Sequence, residues 1–144
     1  MKKNNKKGFT LIELLVVIAI IGLLSTLSIL ALNTARARSR DARRVSDIKQ
    51  MQTALEMYFN DVSKYPPNVE MDPGDKLATG TGVYMASVPK PPTPSNDGNC
   101  TTPAPAYTYA VGAGDSTYSI TYCLGAPVND ITAGWHTATP AGIY

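Results

Sequence analysis

Hydrophobic and polar positions divide this chain into three segments with different patterns. From Phe9 to Leu32 nearly every residue is apolar, and no charged residue occurs between Leu14 and Ala35. Further along, apolar residues recur at steps of three and four, as on one face of a helix: Val45, Ile48, Leu55, Phe59 and Val62. Beyond Val62 this spacing ends, and nine of the eleven prolines lie between Pro66 and Pro105. The pattern therefore predicts an apolar helix, an amphipathic helix and a third region without helical spacing.

The two helical segments are predicted to form one continuous helix. Because no proline precedes Pro66, nothing forces a break between Phe9 and about Val62, and such a helix is roughly 80 Å long. Its first part rises about 36 Å from Phe9 to Leu32, enough to cross a bilayer core of roughly 30 Å. A soluble chain of 144 residues has too little else to cover a helix that is apolar on all sides. We therefore assign residues 9–35 to a transmembrane or filament-core helix and residues 36–62 to its amphipathic continuation.

Residues 63–144 are predicted to form a globular region of loops and β-strands. Turn-forming proline, glycine, asparagine and aspartate residues dominate residues 63–105, and the apolar stretch Val83 to Val88 is expected to pair with a sheet. Apolar residues alternate strictly in residues 107–111 and 117–124, which predicts a hairpin around the turn at 112–115. This sheet would cover the apolar stripe of the helix. The predicted fold class is α+β, with a long N-terminal helix packed on a small antiparallel sheet.

Charge is distributed unevenly along the chain, although the formal net charge is only +2. Four lysines precede the apolar segment, five arginines lie in residues 36–44, and residues 45–144 hold four lysines against nine acidic residues. Arginines so close to a membrane segment favour lipid headgroups or neighbouring subunits over DNA as partners. We also expect Arg43 to pair with Asp47 one helical turn further along. The 44% hydrophobic content excludes a disordered chain.

Positive charge alone hardly distinguishes the two orientations of the membrane segment, because basic residues flank it on both sides. The two cysteines, Cys100 and Cys123, favour an oxidising compartment for the C-terminal region, which places the N-terminus in the cytoplasm. Glu13 does not fit a plain membrane anchor, since a carboxylate inside a membrane helix costs about 2.5–3.5 kcal/mol. Either this residue lies near the headgroups, or it meets a positive partner in an assembly.

The residues from Lys6 to Ile18 resemble the prepilin signature of type IV pilins and of the pseudopilins of type II secretion. They combine a short basic leader, a glycine, a phenylalanine, a glutamate at the fifth mature position and an unbroken apolar helix: Lys6-Lys7-Gly8-Phe9-Thr10-Leu11-Ile12-Glu13-Leu14-Leu15-Val16-Val17-Ile18. A second similarity, to major pseudopilins, extends through residues 41–66. Together they are too specific for a chance match.

The resemblance implies processing and assembly at named residues. A prepilin peptidase would remove a leader of residues 1–8 by cutting between Gly8 and Phe9, and would N-methylate Phe9. Removal of the four leader lysines changes the formal charge from +2 to −2. Glu13 would pair with the new α-amine of Phe9 in a neighbouring subunit, which offsets the desolvation of both groups. The expected partners are further copies of the chain in a helical filament, the peptidase, the assembly machinery and, before assembly, membrane lipid.

The chain departs from the family pattern within the apolar helix. Many members carry a proline at the twenty-second mature position, where this chain has Leu30, while the glycine of the fourteenth position is kept as Gly22. In the family these two residues are associated with stretching of the helix during assembly. We therefore name Gly22 as the candidate site of helix flexibility.

The two cysteines are predicted to form one disulfide. A bridge between Cys100 and Cys123 would stabilise the fold by about 3 kcal/mol in the loop-entropy model. Pilins similarly close a C-terminal surface loop, whereas pseudopilins usually lack this bridge and carry an acidic calcium loop. Residues 129–136 hold a single acid, too few oxygen ligands for a calcium site. We predict no metal, no cofactor and no enzymatic activity, because the single histidine, His136, has no identifiable nucleophile or acid beside it.

These features predict a structural subunit of a type IV pilus-type filament. It would wait in the cytoplasmic membrane with its N-terminus in the cytoplasm and then enter an extracellular or periplasmic filament. One alternative is the major pseudopilin of a type II secretion system, acting in protein export. A DNA-uptake pilin is disfavoured, because a body in residues 45–144 with four lysines and nine acids is poorly suited to hold a polyanion.

Overall fold

A computed structural model describes residues 8–80, 82–95, 97–100 and 107–144. The leader prediction therefore lies outside the described residues except for Gly8. By their internal contacts the residues fall into two units, Met1–Arg36 and Ala37–Tyr144.

The long helix α1 runs from Leu11 to Val62 without interruption, as the absence of proline predicts. In the first unit the large apolar side chains of α1 are exposed on every side. No residue in the most hydrophobic stretch of the helix is buried. Helix α1 is thus long and apolar enough to cross a membrane. The hydroxyls of Ser25, Thr26, Ser28 and Thr34 donate to backbone carbonyls three or four residues earlier, so these polar groups do not interrupt the apolar surface with unmet donors.

The described residues of the second unit form two antiparallel sheets. A small sheet pairs β1 (Leu77–Ala78) with β2 (Val83–Met85). A larger sheet has the order β3-β4-β5-β6, formed by Thr108–Val111, Tyr118–Leu124, Gly134–Thr139 and Gly142–Ile143. Short 3₁₀ turns lie at Asn68–Met71 and Ala113–Asp115. The α+β prediction is confirmed.

The strand predictions agree with this topology in part. Strands β3 and β4 form the predicted hairpin, with Tyr109 opposite Ile120 and Val111 opposite Tyr118. Among the described residues the apolar stretch from Val83 pairs with β1, and so belongs to the small sheet. The sequence pattern did not indicate β5 and β6, because the threonines, glycines and single tryptophan of residues 134–143 show no clear alternation of apolar and polar positions.

The core lies between the amphipathic part of α1 and the inner face of the larger sheet. Helix α1 contributes residues on one stripe, all at most 5% exposed: Val45, Ile48, Met51, Ala54, Leu55 and Tyr58. Strand β4 contributes every second residue, as its pleat requires: Tyr118, Ile120, Tyr122 and Leu124. Phe59 and Val62, predicted on the same stripe, are only partly buried at the end of the helix.

Tyrosines fill much of this core, and several keep their hydroxyls paired. The Tyr107 hydroxyl donates to Asp47 over 2.9 Å, and the Tyr109 hydroxyl donates to the carbonyl of Pro66 over 2.9 Å. At these two positions the ring is buried and its hydroxyl is satisfied, whereas the buried hydroxyls of Tyr118 and Tyr122 have no hydrogen-bond partner among the described residues. The two bonds also tie the sheet to the helix and to the loop that follows it.

Candidate functional site

The bond between Gly8 and Phe9 lies ahead of α1, in backbone that is not helical. The Phe9 side chain is 84% exposed. A Cβ added at Gly8 would meet no atom within 4 Å among the described residues. Packing inside this part of the chain therefore gives no reason for a glycine at position 8. A peptidase cleft that receives an extended peptide would give one.

Glu13 forms a capping box with Thr10 at the start of α1. The Thr10 backbone N–H and hydroxyl donate to Glu13 Oε2 over 2.8 and 2.9 Å, and the Glu13 N–H donates back to Thr10 Oγ1 over 3.3 Å. This arrangement satisfies amide donors that every helix N-terminus leaves unpaired. Within one described chain the carboxylate thus binds Thr10. The predicted pairing with Phe9 of a neighbouring subunit stays a prediction.

Gly22 lies in the unbroken interior of α1, and an added Cβ there would meet no atom within 4 Å of the described structure. Leu30, at the position of the family proline, is helical and 67% exposed. The flexibility expected at Gly22 stays a prediction. As at Gly8, nothing in the described chain requires the glycine by contact.

Two of the five arginines contact a surface loop within the same chain. Arg40 binds Asp97 with two hydrogen bonds, of 2.6 Å from Nε and 2.7 Å from Nη2. Arg44 reaches the same loop through its Nη2, which donates to the carbonyls of Pro94 and Ser95 and contacts Asp97 at 3.3 Å. The sequence pattern did not place this carboxylate and these carbonyls beside the two arginines. The expectation of lipid or inter-subunit partners stays a prediction. Arg36, Arg38 and Arg43 are exposed.

A buried carboxylate completes this cluster. Asp41 accepts a 2.5 Å bond from Arg44 Nη1 and bonds of 3.0 and 2.9 Å from the backbone N–H groups of Gly125 and Ala126. Its side chain is 1% exposed, and that of Arg44 is 3% exposed. Two charges this deeply buried persist only where both are hydrogen bonded on most sides, as they are here. We call Arg40, Asp41, Arg44 and Asp97 the charged clamp.

The charged clamp shifts the protonation of Asp97. Its hydrogen bond from Arg40 lowers the pKa of Asp97 below the usual value, although partial burial opposes the shift. The charges of Arg40 and Arg44 act in the same direction as the hydrogen bond.

The expected pair of Arg43 and Asp47 is absent from the ion pairs of the described residues. Asp47 is buried and accepts the hydroxyl of Tyr107 instead, because its side chain points towards the sheet. Burial raises the pKa of Asp47, while the Tyr107 hydrogen bond and the Arg43 charge partly offset that rise.

The structure contains the disulfide between Cys100 and Cys123, with Cα atoms 5.9 Å apart. Cys123 lies in β4, directly before Leu124 and Gly125, while Cys100 follows Asp97 by three residues in the same loop. A Cβ on Gly125 would come within 2.6 Å of the Asp97 carbonyl oxygen, so glycine is needed where the two segments approach. The bridge and the charged clamp therefore fasten the same loop.

Sequence reasoning missed the charged clamp. Asp97 lies in a proline- and asparagine-rich stretch that predicts a turn. Asp41 lies among arginines that predict a basic surface patch. The one available signal was an acid inside an otherwise basic run. No group of three or more histidine, cysteine, aspartate or glutamate residues suited to a metal was found in the described ranges.

The N-terminal part of the chain is similar to a known family motif, and longer parts of it are similar to known proteins. Residues 3–29 match the prokaryotic N-terminal methylation motif. The type II secretion system core protein G of Klebsiella michiganensis is 39% identical over 66 residues, which are 46% of this chain and 46% of that protein. The type IV major fimbrial protein FimA of Dichelobacter nodosus is 45% identical over 62 residues, or 43% of this chain and 39% of the relative.

One relative aligns over almost the full length. The type IV wide pilus major component PilA4 of Thermus thermophilus is 32% identical over 142 residues, covering 98% of this chain and 88% of that protein. The chain spans about half of the length of the core protein G relatives from Klebsiella michiganensis and Aeromonas hydrophila. No solved structure matches it significantly.

Proposed function

Because the chain belongs to the family of type IV pilins and type II secretion pseudopilins, we propose that it is the repeating subunit of a type IV pilus-type filament. The observation that carries this proposal is the first half of α1. Large apolar side chains there are exposed around the whole helix. A second copy of the same surface covers them in a filament, and lipid covers them before assembly.

Processing is the first step of this function. A prepilin peptidase cuts between Gly8 and Phe9 and methylates the new amine of Phe9. Three observations support this step: the bond lies outside the helix, Phe9 is exposed, and a Cβ added at Gly8 would meet no atom of the described residues within 4 Å. The cut removes four lysines and leaves one α-amine near the start of the apolar helix.

Glu13 then changes partner. In the precursor the carboxylate bonds Thr10, and after cleavage the charged amine of Phe9 becomes available to it in a neighbouring copy. An ion pair in the low-dielectric filament core is strong relative to the same pair in water, and it offsets the burial of both charges. Assembly is thereby restricted to processed subunits, since only they carry the amine.

Membrane placement follows from the same helix. The subunit resides in the cytoplasmic membrane with its N-terminus in the cytoplasm, and residues 37–144 lie on the opposite side with the disulfide. From there the assembly machinery moves it into an extracellular or periplasmic filament. Its role is structural, and the charged clamp and the disulfide serve the stability of the exported unit.

The substitution Glu13→Ala tests this function. We expect the leader to be removed as usual while the protein stays in the membrane fraction as monomers, because the inter-subunit charge pair is lost. Filaments recovered by sedimentation and seen by electron microscopy give the readout, with exposed Asp130→Ala as the matched acidic control. Normal filaments from Glu13→Ala would contradict the pairing role.

The pseudopilin of a type II secretion system is the second candidate, favoured by the 39% identity to core protein G over 66 residues. The disulfide and the single acid in residues 129–136 favour the pilus instead. Surface filaments at native expression would support the pilus, and loss of protein export without surface filaments would support the pseudopilin. Binding of the mature protein to DNA at physiological salt would instead indicate a DNA-uptake pilin.

A further inference from the structure

The outer face of the larger sheet carries a row of threonines. Side chains alternate along β4, so the inward residues Tyr118, Ile120 and Tyr122 leave Thr121 on the outer face. Strand register places Thr121 opposite Thr108 on one side and opposite Thr137 on the other. The three threonines therefore cross three adjacent strands, with neighbours about 4.8 Å apart.

Two exposed aromatic residues flank the Thr137 end of this row. Trp135, the one tryptophan in the sequence, lies two residues before Thr137 on the same face and is 48% exposed. Tyr144 is 70% exposed and exchanges two backbone hydrogen bonds of 2.9 Å with Thr137, which places it directly opposite on the neighbouring chain segment. Aromatic surface is thus displayed beside hydroxyls on one flat face.

Several polar groups on this face have no partner within the described parts of the chain. The hydroxyls of Ser119, Thr121 and Thr137 and the indole N–H of Trp135 form no hydrogen bond to any described residue. Each of these hydroxyls can donate one hydrogen bond and accept others. They are available to a ligand that brings both donors and acceptors.

The strands that form this face contain no lysine, arginine, aspartate or glutamate. Between residues 107 and 144 the only acidic residues are Asp115 and Asp130, with no lysine or arginine. Asp115 lies in the turn between β3 and β4, and Asp130 in the turn between β4 and β5, so neither belongs to the row. Within these strands a polyanion would meet no lysine or arginine side chain, and a basic segment would meet no carboxylate side chain. The electrostatics match an uncharged ligand.

We propose that this outer face binds a neutral glycan. The rings of Trp135 and Tyr144 pack against the C–H faces of pyranose rings, and the hydroxyls of Thr121 and Thr137 exchange hydrogen bonds with sugar hydroxyls. Aromatic side chains suit this role because they provide large, rigid contact area at low entropic cost. The proposed glycan site lies within residues 107–144, and glycan binding there does not depend on filament assembly.

The sole tryptophan makes a direct test possible. Full-length protein is held in a polyoxyethylene detergent, because detergents with sugar headgroups would compete for the face. Cellohexaose is the neutral probe and heparin is the anionic one. We expect a saturable blue shift of Trp135 emission with cellohexaose that is insensitive to salt, and no change with heparin. Absence of the shift with cellohexaose, or a salt-dependent shift with heparin, would overturn the proposal.

Matched variants separate binding from folding. Thr137→Val removes one hydroxyl at almost constant volume and should weaken cellohexaose binding by about threefold to tenfold. Thr53→Val, whose hydroxyl donates to the Lys49 carbonyl on α1, should bind like the wild type. Trp135→Ala should lose retention on immobilised cellohexaose while its tyrosine circular dichroism stays native.

Two further results would refute the proposal. One is equal retention of Trp135→Ala and the wild type on immobilised cellohexaose. The other is an emission shift that depends on protein concentration without any glycan, which would assign the face to a second copy of the chain.

Discussion

The carboxylate of Glu13 carries two separable properties, a hydrogen-bond acceptor and a negative charge. Thr10 uses the acceptor in the described chain, since its N–H and hydroxyl both bond Oε2. The proposed partner in a filament, the Phe9 amine, would use the charge. Glutamine also serves in a capping box, so substitution can remove the charge and keep the acceptor.

We therefore predict different results for Glu13→Gln and Thr10→Val. Glu13→Gln keeps the cap but should abolish filaments, because the amine loses its counter-charge. Thr10→Val loses the cap, at about 0.5–2 kcal/mol of helix stability, and should still assemble. Sedimented filament yield, with leader cleavage followed by mass spectrometry, measures both. Wild-type yield from Glu13→Gln would show that capping is the role that matters.

Asp97 makes the stability of the charged clamp dependent on pH. Arg40 lowers its folded pKa, so the stabilisation is complete above the unfolded pKa of about 3.9 and is lost as the pH falls through the lower, folded pKa. Asp97→Asn lacks this contribution at every pH. We expect the variant to be about 2 kcal/mol less stable at neutral pH, with the gap closing below about pH 4. Thermal unfolding at several pH values checks this, and a constant gap would contradict it.

At the scale of elements, charged side chains join α1 to the loop before the sheet. Asp41 and Arg44 lie on the helix face that continues through Val45 and Ile48, and the loop brings Asp97 and two carbonyls to them. The disulfide fixes the same loop to β4 at Cys100. The described residues 91–95 and 97–100, which form no helix or strand, are thereby held in place.

Removal of the Arg44 side-chain charge should be costly for this reason. Arg44→Met leaves Asp41 buried without its cation, and breaking such a pair typically costs 3–5 kcal/mol, so we expect a loss of about 3 kcal/mol or more. The exposed Arg38→Gln, on the same helix, should change stability by less than about 0.5 kcal/mol. Denaturant unfolding of both full-length variants gives the comparison. Equal stabilities would mean that Asp41 is satisfied by Gly125 and Ala126 alone.

At the scale of the whole molecule, the two units differ in what covers their apolar surface. The described residues of 37–144 contain a buried apolar core, whereas large apolar side chains between Phe9 and Leu32 are exposed. In the proposed function, lipid or other copies of the chain cover these exposed side chains. Processing at Gly8 is the proposed step that separates these two environments.

Gly8→Val should stop that step. A β-branched side chain next to the cut hinders entry of an extended peptide into the peptidase, so we expect the precursor to stay in the membrane with its formal charge of +2 and to form no filaments. Gly22→Ala is the control glycine substitution and should be cleaved normally. Intact mass spectrometry reports the leader and the methyl group. Cleavage of Gly8→Val at the wild-type rate would contradict the role of this glycine.

The sequence by itself determined those elements of this protein that depend on interactions between residues close together in the chain. The absence of proline before Pro66 and the spacing from Val45 to Val62 predicted α1, and strict alternation predicted the hairpin of β3 and β4. The prepilin signature gave the family, because its residues are contiguous. Composition likewise predicted one disulfide, since only two cysteines were available.

Only the tertiary structure decided the contacts between distant residues. The sequence predicted that Arg40 and Arg44 belong to a basic surface patch. In the structure they bind Asp97, which is more than fifty residues away in the sequence. Strand β5 depends on its register with β4, and strand β6 on its register with β5, which their own residues do not encode. The threonine row depends on the register of β4 with both of its neighbours. Long-range pairing is set by what the whole chain can bury at once, whereas periodicity reports only which side of an element faces inward.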